Sequence, residues 1–154
     1  MPKGTSIARR HIRHGFTIIE LIAAMVIVGV LSTVAVPPIS GSIDKAKVAR
    51  AISDMRQIAQ DLSALDSLPA ALADIGRGSL RDPWGRPYTY VPLLVSGPAP
   101  DPRKDRFLVP INSRFDLYST GPDGLTSLPL SDLPSRDDVV LGNDGGYIGL
   151  ASKY

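Results

Sequence analysis

The sequence predicts an α+β protein: a long N-terminal helix, apolar in its first half and amphipathic in its second, packed on a small antiparallel β-sheet head. Three observations predict it. Residues 16–36 form a 21-residue stretch with a single charged side chain, Glu20. Apolar residues then recur mostly at three- and four-residue steps from Ile43 to Leu65. Beyond Leu68-Pro69, glycine and proline interrupt the chain every few residues, which suits short strands and turns and disfavours a second long helix.

The apolar stretch comes first. Its length matches what a helix needs to cross the roughly 30 Å hydrocarbon core of a bilayer. Lys3, Arg9, Arg10 and Arg13 precede it with no acidic residue among them, and positive charge ahead of an apolar span holds the N-terminus in the cytoplasm. The remainder of the chain is then expected outside the inner membrane. A carboxylate at the centre of such a span costs about 2.5–3.5 kcal/mol, so Glu20 requires a partner or a task.

The amphipathic half carries Ile43, Val48, Ile52, Met55, Ile58, Leu62 and Leu65 as its apolar face, with Asp44, Lys45, Lys47, Arg50, Asp54, Arg56 and Asp61 between them. That face is expected to seat the head. Pro37, Pro38 and Gly41 mark where the helix should bend. In the head, 88–91, 106–109 and 115–118 are strand candidates, with turns at 84–87 and 121–124. Residues 92–105, with four prolines, read as a surface loop. Trp84 reads as a core anchor. Residues 143–146 read as a tight turn that returns Tyr147 and Ile148 to the core. The resulting division is 1–15, 16–36, 37–67 and 68–154.

The chain holds 17 Lys and Arg against 15 Asp and Glu, and four of the basic residues lie in the first 15 positions. Without that extension 13 basic side chains face 15 acidic ones, so the basic balance gives no support to nucleic-acid binding. There is no cysteine, and both histidines, His11 and His14, lie in the same extension. The rest of the chain therefore lacks the residues for a catalytic triad or zinc site of the usual kinds. It also carries no Gly-rich phosphate loop. Composition points away from an enzyme and toward a structural part.

Gly15-Phe16-Thr17-Ile18-Ile19-Glu20 resembles the prepilin motif of type IV pilins and type II secretion pseudopilins. The resemblance implies that residues 1–15 are a leader, removed by a prepilin peptidase that cuts after Gly15 and methylates the new N-terminal Phe16. It implies that Glu20 is the assembly residue, and Pro37 matches the family's helix-bending proline. In a filament Glu20 of one subunit would meet the Phe16 amine of its neighbour, and a charge that is tolerated only when paired would set the axial register. The alternatives are an ordinary secretory signal or a simple signal anchor.

Two head segments narrow the resemblance. Residues 82–88, Asp-Pro-Trp-Gly-Arg-Pro-Tyr, resemble the Asp-Pro-Trp-Gly-x-Pro-Tyr segment of the major pseudopilin of type II secretion. Residues 116–124 resemble the turn before that family's calcium loop, and 135–139 its acidic end. The resemblance implies one structural calcium ion held by the carboxylates of Asp123, Asp137 and Asp138 and the Thr120 carbonyl. The stretch 125–134, with Asp132, is longer than the family's loop, and turn and helix-capping roles for the same aspartates stay open.

The function so implied is a structural subunit of a pseudopilus that drives protein export, assembled by helix stacking. Its expected partners are copies of itself, minor pseudopilins, the inner-membrane assembly platform, the prepilin peptidase and the membrane, with no nucleic acid. The expected place is the bacterial inner membrane, crossed once, with the N-terminus cytoplasmic and the head periplasmic. A type IV pilin for twitching, adhesion or DNA uptake is the alternative, although many such pilins close a C-terminal loop with a disulfide that this chain cannot form. A membrane-tethered periplasmic binding module that never polymerises is the third reading.

Overall fold

The computed structural model describes residues 15–35, 39–94 and 100–154. The chain divides into two units, residues 1–40 and 41–154. The first contains helix α1, Ile18–Ala35. Ile18, Ile19, Met25, Val28 and Leu31 are all more than half exposed along it, so the helix presents apolar side chains around its surface. Among the described residues no helix is long and apolar enough to cross a membrane. Residues 1–14 of the expected leader, and the expected bend at Pro37 and Pro38, lie outside the described residues.

The second unit is built on helix α2, Ile39–Ser63, shorter at its C-terminal end than the expected 37–67 segment. Ala51, Met55, Ile58 and Leu62 follow the helical step and are fully buried. Ile43 and Leu65, placed on the same face by periodicity, stay substantially exposed, so the seated face runs from Val48 to Leu62.

A four-stranded sheet lies against it: β1 Thr89–Pro92, β2 Phe115–Ser119, β3 Val139–Gly142 and β4 Tyr147–Leu150, in sequential order and antiparallel throughout. Alternation along β2 and β3 sorts side chains to two faces. Phe115, Leu117, Val139 and Leu141 join the α2 residues and Tyr88 in the main core, while Val140 joins Ile111, Leu130 and Ala151 in a second cluster, edged by Tyr118, Tyr147 and Tyr154. All four β3 residues are buried, and a strand covered on both faces has no polar alternation to betray it.

Two expectations need correction. Residues 106–109 do not form a strand. Asp105 and Leu108 exchange backbone hydrogen bonds of 3.0 and 2.7 Å around a tight turn, with Arg106 at φ 46° and Phe107 fully exposed. Its β-favouring side chains have no neighbouring strand to pair with. The loop 92–105 is not wholly on the surface either: 95–99 lie outside the described residues, but Arg103 is 3% exposed.

Polar bonds tie helix to sheet. The Tyr88 hydroxyl donates to Asp54 Oδ2 at 3.0 Å, and the same oxygen lies 3.9 Å from Arg50. Burial, then the Asp54 carboxylate, pushes the phenol far above its usual range, so it remains a donor. Tyr88→Phe is therefore expected to lower stability by about 1–2 kcal/mol, read from urea unfolding of the detergent-solubilised chain, with little change in secondary structure.

Candidate functional site

Two groups of residues carry the expected chemistry, one at the start of α1 and one in the head. At the start of α1, Thr17 sits just before the first helical residue. Its amide N–H and its hydroxyl both donate to Glu20 Oε2 at 3.0 Å, and the Glu20 N–H donates to Thr17 Oγ1 at 3.3 Å. This is a reciprocal capping box, in which two side chains satisfy amides that a helix terminus leaves without partners. Its Thr-x-x-Glu signature stands in the sequence ahead of an apolar run, yet sequence reasoning gives Glu20 only a partner in a neighbouring subunit and not this role as a cap. The expected Phe16 lies one residue before the cap and is 88% exposed, next to Gly15.

In the head, the two motif segments prove to be one hydrogen-bonded unit. Asp82 is buried, and its Oδ1 accepts from the Trp84 and Arg86 amides at 3.0 and 2.8 Å, closing the turn. Its Oδ2 accepts from the Ser119 hydroxyl at 2.6 Å, at the end of β2. Arg86 reaches across to the Gly121 and Pro122 carbonyls. Trp84 packs partly buried against the main core.

The expected calcium ligands are distributed differently from a metal shell. The Thr120 carbonyl accepts from the Gly124 amide at 3.1 Å, and Asp123 Oδ1 from the Leu125 amide at 2.8 Å. Asp137 Oδ2 accepts from the Asp123 amide at 3.3 Å. Asp138, fully buried, is paired through Oδ2 with Arg103 Nη2 and the Thr126 hydroxyl, each at 2.7 Å. Among the described residues no group of three or more His, Cys, Asp or Glu is placed to hold a metal ion. Calcium needs six to eight oxygens, and here the one carboxylate of the set that is fully buried already faces a guanidinium. The residues as placed do not fit the ion.

Arg103 is a buried, many-partnered residue that sequence reasoning missed. Its amide donates to Asp116 Oδ2 at 2.7 Å, and Asn112 Nδ2 donates both to Asp116 Oδ1 and to the Leu141 carbonyl at 2.9 Å. Its side chain donates to Thr126 Oγ1 at 3.0 Å and the Ser127 carbonyl at 3.2 Å, and lies 4.2 Å from the Tyr118 ring centroid. Burial, the largest effect, pushes Asp116 and Asp138 above the usual carboxylate range despite these hydrogen bonds. Arg103 Nε and Asp138 Oδ1 are buried without a hydrogen-bond partner. No local pattern announced this network, in which the hydrogen-bond partners of Arg103 lie 13 to 35 residues along the chain from it.

Residues 143–146 form the expected turn. Asp144, at φ 52°, accepts from the Ser113 amide and hydroxyl at 2.7 Å, which accounts for its carboxylate without a metal.

Comparison with known proteins converges on one family. Residues 10–36 match the prokaryotic N-terminal methylation motif. The type II secretion system core protein G of Pseudomonas aeruginosa is 30% identical, the alignment covering 75% of this chain and 88% of the relative. Proteins of the same name from Escherichia coli K12 and Dickeya chrysanthemi are 31% and 26% identical, each alignment covering 83% of this chain and 90% and 84% of the relative. No solved structure is a significant match.

Proposed function

Because the chain belongs to the type II secretion core protein G family, the major pseudopilins, we propose how its two sites make it the repeating part of a secretion pseudopilus. The chain is a structural subunit of that fibre. The family is structural, and the head's polar residues are engaged in turns and a buried network, consistent with a role other than catalysis.

The observation that carries the reading is the contiguity of the N-terminal site. Gly15, Phe16, Thr17 and Glu20 fall inside the matched 10–36 stretch, and Glu20 closes the first turn of α1. A prepilin peptidase would cut after Gly15, leaving a methylated amine on Phe16. The apolar surface of α1 then suits storage in the inner membrane, with the N-terminus cytoplasmic and the head periplasmic. On assembly the same surface is buried among neighbours: against lipid the gain is side-chain packing, and once the helix has left the membrane the neighbours keep its apolar area from water. Glu20, satisfied within its own subunit by Thr17, would exchange that partner for the Phe16 amine of the next subunit. Minor pseudopilins and an inner-membrane platform would start and power the fibre.

A clean deletion tests this against the pilin alternative. Exported proteins are expected to remain in the periplasm while twitching motility is unaffected. Loss of surface pili or twitching with secretion intact would overturn the reading.

A further inference from the structure

We propose that the Arg103 guanidinium serves as the built-in cation of the 120–138 loop, so that the head closes its C-terminal region without calcium. A bound cation organises a loop by gathering oxygen donors from separate stretches of chain onto one positive centre. Arg103 does this with the same donor types a calcium ion would recruit: the Asp138 carboxylate, the Thr126 hydroxyl and the Ser127 main-chain carbonyl. A planar guanidinium can address three such oxygens at once, which a lysine ammonium on a flexible stem does less well.

The cation is held in position from behind. Its own amide is fixed on Asp116, its carbonyl accepts from the Ile111 amide at 3.1 Å, and its guanidinium stacks over Tyr118. The longer loop is also closed by its own bonds. The Ser135 hydroxyl accepts from the Ser127 amide and donates to the Ser127 carbonyl, both at 2.8 Å, and the Ser127 hydroxyl donates to Asp132 at 2.7 Å. Residues 125–134 thus supply two of the three oxygens that Arg103 collects, which gives the lengthened loop a structural reason. A tethered cation cannot be diluted or chelated away, whereas stabilisation by a free ion follows its concentration.

The test is thermal unfolding of the full processed protein in detergent micelles, with calcium or with a calcium chelator, for wild type and Arg103→Gln. The wild-type melting temperature is expected to be the same in both conditions. Arg103→Gln is expected to melt at least ~10 °C lower under chelation, because it leaves Asp138 buried without its counter-charge. A wild-type melt that falls on chelation and recovers with calcium would overturn the proposal, and this arm stands even if the variant fails to fold. An Arg103→Gln protein that melts with the wild type would overturn it equally.

Discussion

Glu20→Val is expected to abolish pseudopilus assembly and drop secretion to the level of the deletion, while the subunit still accumulates in the membrane. The substitution removes the one charge of residues 16–36, so insertion becomes easier, not harder. What is lost is the proposed pairing with the Phe16 amine of the neighbouring subunit. Removing one partner of a buried pair costs about 3–5 kcal/mol, which is roughly 10²–10³-fold or more in the affinity of each contact. Every subunit added to the fibre would meet that penalty, so growth stops instead of slowing. The variant also loses the capping box, and Glu20→Gln separates the two effects. Glutamine can still accept from the Thr17 amide and hydroxyl that hold Glu20 at 3.0 Å, so the cap persists and only the charge is gone. Shear-released fibres and secreted protein are the readouts. A Glu20→Gln strain with normal fibres would remove the ion pair from the mechanism and leave Glu20 as a helix cap.

The same glutamate shows which parts of the molecule could be read from sequence. The N-terminal methylation motif was legible because its residues are adjacent, and the Thr-x-x-Glu cap was written there as plainly. Helix α2 was legible from the step between Met55, Ile58 and Leu62, though its exposed ends, Ile43 and Leu65, show that periodicity marks a face without marking where the face stops being covered. Strands β1 and β2 announced themselves through aromatic and β-branched residues. Strand β3 did not, since Val139 and Leu141 serve one cluster and Val140 the other. Arg103 was hidden for a different reason. The four prolines ahead of it suggested solvent, and only the three-dimensional approach of Asp116, Thr126 and Asp138 supplies the partners that make burying a guanidinium tolerable. The ligands that the resemblance implies include Asp138, but no resemblance of local segments could report that Arg103 approaches it.

Gly121→Ala is expected to destabilise the head by about 2–5 kcal/mol, from a left-handed backbone cost of ~1–2 kcal/mol and overpacking of ~1–3 kcal/mol. Gly121 has φ +62°, and a Cβ there would run into the Asp137 carbonyl oxygen and lie 2.9 Å from the Asp137 carbonyl carbon. Those are backbone atoms, so no rotamer change relieves the contact. The turn after β2 and the acidic end of the loop would have to separate. That movement would strain the Arg86 bonds to Gly121 and Pro122 and the Asp123–Asp137 contact together. Gly145→Ala is the comparison. Its φ is +98° but a Cβ there meets nothing within 4 Å, so only the conformational cost applies and the loss should stay near ~1–2 kcal/mol. Urea unfolding of the two variants measures the difference. Equal losses would mean that the close approach of Gly121 to Asp137 contributes nothing. A larger loss at Gly121 makes the absence of a side chain there a condition for placing Asp137 and Asp138 so that Arg103 can reach the second of them.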